Sequence, residues 1–335
     1  MEPGGRDWLE DRIRGCLGVA ALGDAAGAPV EGRTREEVSA HGDPLPGVWN
    51  ESREITDDTG QLEALGRALV ESGGTLTAAA WRDALIEWFE TSPTAAKAGP
   101  TTRAILAGDP HPPDERIGVT NGSAMRAAPC GLVHPGDPEA AVELAWLTSR
   151  PTHDTQVAAA AAGAVAAGVA VALRPGAGLA EVVEACVLGA ALGNGHGVRH
   201  GRTVALPRVS RRVELAIAEA RAARDMNEAL ERIEAAVGTS MLAFESVPAA
   251  IGVLAASDGD PVGVVRAAVW LGGDTDTIAS IAGALAGALH GYAALEPDDR
   301  AVVDLVLPGL DELVPGLAAI AAGRPAPASP PGTTR

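Results

Sequence analysis

The chain has 335 residues, of which 47% are hydrophobic but only 3% aromatic, so small and aliphatic side chains must fill its interior. Its formal net charge of −18 excludes general binding to nucleic acid, because such proteins need a positive surface to displace counterions. Its three cysteines are far apart and include no Cys-x-x-Cys pair, which argues against a disulfide framework and against a structural zinc site.

Helical periodicity recurs along the chain, and no segment keeps the alternation that is typical of a strand. Apolar residues recur at helical spacing over 81–89 and again over 226–237, where Gly238 occupies the place of a helix-terminating glycine. Asp-Pro pairs at 137–138 and 260–261 each predict a helix start, with a capping side chain before a proline at the first helical position.

The most apolar stretch, 157–173, consists mainly of alanine and glycine, which insert weakly into membranes. We therefore predict a buried helix there, no membrane association and, because the charged N-terminus lacks the apolar core of a signal peptide, a cytoplasmic protein. Glycines predict a loop over 193–207. His196 and His200 have the spacing of metal ligands, but they lie in this predicted loop and we assign them no metal.

These patterns predict one compact all-helical domain over residues 1–322. The segment 323–335 is rich in Pro, Ala, Ser and Thr, and we expect a disordered tail there. Gly283 and Gly287 lie one helical turn apart, which predicts that a neighbouring helix approaches closely at this point.

Two short segments concentrate carboxylates and hydroxyls directly before apolar helical runs: TDDT at 56–59 and GGDTDT at 272–277. Clustered carboxylates repel one another unless cations neutralise them. Their hard oxygen ligands suit Mg, Mn or Ca better than Zn, and two clusters could hold two ions about 3.5–4 Å apart. Asp and Thr are also good helix N-caps, so the two patterns by themselves leave open a metal site or two capped helix starts.

Three further segments are candidates for contact with a substrate. The glycine-rich stretch 18–27 leads to Glu31, a carboxylate on a loop. The turn at 121–126 could form a nest of backbone N–H groups for phosphate, with Arg126 nearby, or it could be an ordinary helix entry. His153 precedes the alanine-rich helix, where a substrate ligand, a general acid and a capping or packing residue are all open.

Five segments, in this order and at this spacing, resemble the ADP-ribosylglycohydrolase family, which includes the dinitrogenase reductase-activating glycohydrolases. They are GDAAGAPVE (23–31), TDDT (56–59), NGSAMRAAP (121–129), TH (152–153) and GGDTDTIASIAGALAGA (272–288). The resemblance spans about residues 12 to 292. It implies an all-α, compact orthogonal multi-helix bundle with two Mg²⁺ or Mn²⁺ ions in a central cleft.

The resemblance also implies roles for individual side chains. The implied metal ligands are Thr56, Asp57, Asp58 and Asp276 for one ion, and Asp274, Asp276 and Thr277 for the other. Asp57 and Glu31, the latter matching a mobile carboxylate, become candidates for the acid and the base, without an assignment between them. The implied substrate contacts are Asn121, Gly122, Ser123, Ala124, Met125, Arg126, His153 and Gly273.

The activity implied by the resemblance is hydrolysis of the glycosidic bond between ADP-ribose and a protein side chain or a small-molecule acceptor. Arginine-directed relatives often carry an acidic residue in a segment like D-x-G-x-x-T, whereas the matching stretch at 97–102 reads KAGPTT. A lysine in the acidic place would repel a guanidinium. Serine-linked, acetylated and other ADP-ribose conjugates therefore remain open as substrates.

Two other functions stay open from the sequence. A helical metal-dependent phosphohydrolase is typically built around a His-Asp dyad, which His153 and Asp154 would supply, but this reading leaves both acidic clusters unexplained. A non-catalytic ADP-ribose-binding protein could retain the fold. The presence of every metal-type residue in the chain favours an enzyme.

Overall fold

The computed structural model describes residues 3–42, 54–107 and 118–323. Over these ranges the chain forms sixteen α-helices and four short 3-10 helices, and it has no strand, only two isolated bridges. The all-α prediction is therefore confirmed. The predicted tail beyond Gly323 lies outside the described residues.

The α-helices, in chain order, are α1 Arg6–Gly27, α2 Arg35–His41, α3 Asp57–Glu71, α4 Ala78–Thr91, α5 Pro100–Leu106, α6 Ala128–Leu132, α7 Pro138–Ser149, α8 Gln156–Ala172, α9 Leu179–His200, α10 Val209–Ala222, α11 Met226–Val237, α12 Ala243–Ala256, α13 Pro261–Trp270, α14 Thr275–His290, α15 Pro297–Val306 and α16 Leu310–Ala321. The 3-10 helices are Ala28–Val30, Pro93–Lys97, Asn121–Ser123 and Tyr292–Ala294.

Several predicted elements are confirmed. Periodic segments form α4 and α11, and Gly238 follows α11 with a φ of +71°, a backbone conformation that favours glycine. The side chains of Asp137 and Asp260 cap α7 and α13 by accepting hydrogen bonds from backbone N–H groups. The alanine-rich stretch is the fully buried α8, and no helix of the described ranges is long and apolar enough to cross a membrane.

Helices α1 and α14 pack so closely that their backbones touch. A Cβ on Gly287 would lie 2.2 Å from the carbonyl oxygen of Gly15, and the predicted close approach at Gly283 and Gly287 is confirmed. At the other end of the pair, a Cβ on Gly27 would lie 2.4 Å from the amide nitrogen of Asp276. The C-terminal end of α1 therefore lies against the N-terminus of α14, which carries the second acidic cluster.

The predicted loop at 193–207 is wrong from its start to His200, because α9 continues through it. A Cβ on Gly193 would lie 2.2 Å from the carbonyl oxygen of Ala159, so this glycine admits the neighbouring α8 instead of ending the helix. His196 and His200 consequently lie near the C-terminal end of α9.

Candidate active site

A cleft opens where the N-termini of α3 and α14 converge, so that both acidic clusters face one space. Most of the predicted site residues line it: Glu31, Thr56, Asp57, Asp58, Asn121, Gly122, Met125, Asp274, Asp276 and Thr277. Two clusters more than two hundred positions apart thus meet in a single cleft.

Asp58 joins the two clusters directly. The hydroxyl groups of Thr56 and Thr277 both donate to its Oδ2, at 3.5 and 3.3 Å. Its Oδ1 is buried and has no hydrogen-bond partner among the described residues. A buried carboxylate oxygen without a partner is costly, and a cation would satisfy it.

The capping alternative accounts for one cluster only. The Thr56 side chain does cap α3 by accepting from the Asp58 amide at 3.2 Å. Asp274 occupies the N-cap position of α14, yet its side chain makes no capping bond. Instead it accepts a hydrogen bond from the side-chain amide of Asn121, which also lines the cleft.

Glu31, Asp274 and Asp276 form a second group of oxygen donors, with one carboxylate oxygen of each within 4.8 Å of the others. Gly273 holds this group together, because it exchanges two backbone hydrogen bonds of 2.8 Å with residues 32–33, next to Glu31. Its φ of +78° favours glycine, and the turn it makes lies beside the cleft lining. Gly273 therefore positions the Glu31 loop.

Sequence reasoning missed Asp24, which lies fully buried behind the clusters. Its carboxylate accepts from the Thr56 amide at 3.0 Å, from the Thr59 amide at 3.0 Å and from the Thr59 hydroxyl at 2.5 Å. It thereby fixes the turn that begins α3 to the end of α1. The signal in the sequence was a single carboxylate inside the otherwise apolar stretch 15–27.

Burial and mutual repulsion raise the pKa values of the clustered carboxylates. Burial, and then the charges of Asp24 and Glu31, raise the pKa of Asp57 to about 7, and burial raises the pKa of Asp274 to about 6. Burial followed by neighbouring carboxylates raises the pKa of Asp58 and of Asp276 well above the usual range. Divalent cations would return these groups to their ionised form, and the all-oxygen donor set fits Mg, Mn or Ca.

Lys97, the only lysine of the chain, also lines the cleft. It ends the 3-10 helix Pro93–Lys97, and it forms no ion pair with any residue that the structure describes. The Arg103 side chain holds this segment by donating to the carbonyl oxygens of Ala96 at 2.9 Å and Ala98 at 3.0 Å. The segment also lies beside the acidic cluster, since Gly99 and Asp57 line the same cleft.

The structure puts Arg126 behind the cleft wall, which differs from the predicted substrate contact. Its side chain is fully buried and donates to Gln61 Oε1 at 2.6 Å, to Thr152 Oγ1 at 2.7 Å and to the Thr148 carbonyl at 3.2 Å. Two other residues of the same segment are buried as well: Ser123, which donates to the Ala158 carbonyl, and Ala124. Of the segment 121–126, only Asn121, Gly122 and Met125 line the cleft.

His153 is also fully buried, one layer behind the lining. Its Nδ1 lies 2.8 Å from Thr152 Oγ1 and its Nε2 lies 2.9 Å from the hydroxyl of Thr120, which lines the cleft. Burial, with the Arg126 charge, holds the pKa of His153 well below the usual range, so the ring is neutral at physiological pH. His153 would therefore act on a substrate only indirectly, through its hydrogen bond to Thr120.

Comparison with known proteins identifies this arrangement. The family model described as ADP-ribosylglycohydrolase matches residues 6–325. The chain belongs to the ADP-ribosylglycohydrolase family. The match covers all five segments that carry the resemblance.

Three proteins are similar to this family member in amino-acid sequence. The uncharacterized protein YegU of Escherichia coli K12 is 33% identical over 314 residues, which is 88% of this chain and 92% of YegU. An uncharacterized protein of Archaeoglobus fulgidus is 31% identical over 316 residues, covering 86% of this chain and 90% of that protein. The ADP-ribosyl-[dinitrogen reductase] glycohydrolase of Rhodospirillum rubrum is 33% identical over 145 residues, only 39% of this chain and 48% of the relative.

A solved structure titled ADP-ribosylglycohydrolase-related protein complex has the same fold. It superposes with a TM-score of 0.64 at 25% sequence identity, covering 93% of this chain and 99% of that one. The likeness extends over nearly the whole of both chains. The fold implied by the five motifs is therefore confirmed for this ADP-ribosylglycohydrolase family member.

Proposed function

We propose that this protein is a divalent-metal-dependent glycohydrolase that cleaves the bond between ADP-ribose and an acceptor. The observation that carries the proposal is the meeting of the two acidic clusters at Asp58, whose buried Oδ1 has no partner. Helix capping by the two clusters does not require a buried carboxylate oxygen that lacks a hydrogen-bond partner. Membership of the ADP-ribosylglycohydrolase family supports the sugar as the substrate class.

The residues that would hold the metal are those of the two clusters. The proposed ligands are Thr56, Asp57, Asp58 and Asp276 for one Mg²⁺ or Mn²⁺, and Asp274, Asp276 and Thr277 for a second. When bound, such ions bind sugar hydroxyls and lower the pKa of water. Asp276 belongs to both proposed ligand sets.

Asp57 and Glu31 are the proposed acid and base, with the assignment between them open. Asp57 lines the cleft beside the other carboxylates, where a positioned carboxylate can take or give a proton in the reaction. Glu31 is exposed and lines the same cleft. Breaking a glycosidic bond builds positive charge on the ribose, and the surrounding carboxylates would stabilise it.

We expect Lys97 to influence which acceptor groups the cleft accommodates. An ammonium group at the cleft disfavours a positively charged leaving group such as an arginine guanidinium. We therefore propose that neutral or acidic acceptors, such as serine or acetyl groups, are preferred over arginine. We include ADP-ribosylated proteins among the proposed substrates. The cytoplasmic location and the lack of stable nucleic-acid binding stay predictions.

The test incubates arginine-, serine- and acetyl-linked ADP-ribose conjugates with the protein in the presence of Mg²⁺, Mn²⁺ or EDTA. The release of ADP-ribose is measured by chromatography. We expect release that EDTA abolishes and either metal restores. Asp57→Asn should lower kcat at least about 100-fold with metal saturating, because it removes a group that moves a proton. Asp83→Asn, an exposed change on α4 outside the cleft, should keep wild-type kcat. Metal-independent release, or normal turnover by Asp57→Asn, contradicts the proposal.

The phosphohydrolase alternative gains no support from the geometry. A His-Asp dyad requires His153 and Asp154 to act on one site, but His153 bonds to Thr152 and Thr120, whereas Asp154 accepts from Arg202 at 2.8 Å. Assaying phosphate release beside ADP-ribose release separates the two activities. Calorimetry with ADP-ribose identifies a non-catalytic binder, which would bind without turnover.

A further inference from the structure

Arg126 is the only arginine or lysine that is buried in the described part of the chain. Its side chain is fully buried and forms no ion pair with any described carboxylate. It stacks over Trp81, with its Cζ 5.6 Å from the ring centroid, and its hydrogen bonds go only to neutral oxygens. Because burying a cation without a counter-charge is costly, its position calls for a compensating interaction.

Gln61 supplies a link from this cation to a candidate catalytic carboxylate. Its Oε1 accepts from Arg126 Nη1 at 2.6 Å, and its Nε2 donates to Asp57 Oδ2 at 3.0 Å. A guanidinium can only donate hydrogen bonds, so the Gln61 carbonyl must face Arg126 and its NH2 group must face Asp57. The chemistry of the two neighbours therefore fixes which way the amide points.

The other side of Arg126 is held in the same directed way. Thr152 Oγ1 accepts from Arg126 Nη2, so its own hydrogen is free to be donated to His153 Nδ1, 2.8 Å away. The neutral ring then carries its proton on Nε2 and donates to Thr120 Oγ1 at 2.9 Å. A continuous hydrogen-bonded chain thus leaves the cleft at Asp57 and returns to it at Thr120.

We propose that Gln61 is a positioning residue for the reaction: Arg126 orients its amide, and the amide in turn orients the Asp57 carboxylate. The inference rests on the proposed function, in which Asp57 takes or gives a proton. Gln61 and Asp57 lie one turn apart on α3, where side chains four positions apart are neighbours. Asp57 is consequently held from within the protein, through a residue that does not line the cleft.

The test variant is Gln61→Glu. Its carboxylate still accepts from Arg126, so the buried cation keeps a partner, but it cannot donate to Asp57 and repels it. The matched control is Thr148→Val, a buried change beside Arg126 that keeps the backbone carbonyl to which Arg126 donates. Both variants are first compared with wild type by thermal unfolding.

We expect Gln61→Glu to lower kcat about 10- to 100-fold while KM changes less than about threefold, since a misdirected catalytic group affects turnover more than binding. Thr148→Val should keep both constants. Crystal structures supply a readout that needs no activity: Asp57 should turn away from residue 61 in the variant. An unchanged kcat, or an unchanged Asp57 side chain, overturns the inference.

A second pair of variants serves if Gln61→Glu does not fold. Thr152→Val removes the acceptor of Arg126 Nη2, and Thr152→Ser retains it. We expect a fall in kcat of about three- to tenfold for the valine variant and rescue by serine. Equal kcat values for the two overturn the inference.

If wild type releases no ADP-ribose from any conjugate, the proposed function fails, and the orientation of Asp57 in crystals still tests the role of Gln61.

Discussion

Replacing Asp58 by asparagine should stabilise the metal-free protein while abolishing its response to metal. Asp58 is buried, its Oδ1 lacks a partner, and burial and the charge of Asp276 raise its pKa. An asparagine has nearly the same shape and carries no charge. The substitution therefore relieves repulsion within the cluster and removes a ligand at the same time.

The expected size of the effect follows from the unsatisfied oxygen. A buried polar group without a partner costs about 1–3 kcal/mol, and a charged group costs more, so replacing the carboxylate by a neutral amide should make metal-free Asp58→Asn more stable than wild type by an amount of about this size. At about 1.4 °C per kcal/mol for a chain of 335 residues, this corresponds to a Tm rise of about 1–4 °C. Wild type with metal at 100 times its Kd should gain about 2.7 kcal/mol, a gain that the variant loses. Adding metal should therefore stabilise wild type relative to the variant, and the order of stability should reverse if the advantage of the variant in EDTA is smaller than this gain.

Scanning calorimetry in EDTA and in saturating Mn²⁺ or Mg²⁺, at constant pH, measures both quantities. Asp83→Asn, an exposed change on α4, is the matched control and should follow wild type in both conditions. An Asp58→Asn protein that is less stable than wild type in EDTA, yet gains as much stability from metal, would refute the reasoning. Asp58 would then be a hydrogen-bonding residue of the fold and no metal ligand.

Three further predictions concern the same cleft. Carboxyl groups whose pKa is raised in the folded protein stabilise it at low pH, and this stabilisation is lost as the pH rises. The Tm in EDTA should therefore fall between about pH 4 and pH 7, the range set by Asp57 and Asp274, and the stabilisation by Mg²⁺ should grow with pH. A difference in Tm between the Mg²⁺ and EDTA samples that does not change with pH contradicts this. Asp24→Asn leaves a backbone N–H at the start of α3 facing a side-chain NH2 group instead of a carboxylate oxygen. Mn²⁺ binding, measured by calorimetric titration, should therefore weaken about 10- to 100-fold. Wild-type affinity in this variant would show that Asp24 does not position the cluster. Lys97→Asp should raise the kcat/KM ratio of arginine-linked over serine-linked conjugates at least about tenfold, and an unchanged ratio would show that Lys97 does not select the acceptor.

Features that depend on neighbours in the chain were predictable. The periodicity over 226–237 together with Gly238 identified α11, and the Asp-Pro pairs identified two helix starts, because caps and periodicity are local properties. The two acidic clusters were likewise visible as local excesses of carboxylate. Their meeting in one cleft was expected from the family resemblance alone.

Features that depend on distant contacts were missed. Arg126 follows a small-residue turn and looks like a phosphate ligand, but its partners at 61 and 152 decide that it is buried. Gly193 looks like a loop residue until α8 lies against it, since glycine serves both loops and tight packing. Asp24 shows its role only when α1 meets the start of α3.

The most direct test of the metal site is anomalous diffraction from crystals grown with Mn²⁺ and ADP-ribose. We expect two manganese peaks in the cleft, with Asp276 coordinating both and Asp58 coordinating one, and the ribose lying against them. Crystals that contain bound ADP-ribose but show no manganese at Asp58 or Asp276 would contradict the proposed metal-dependent chemistry.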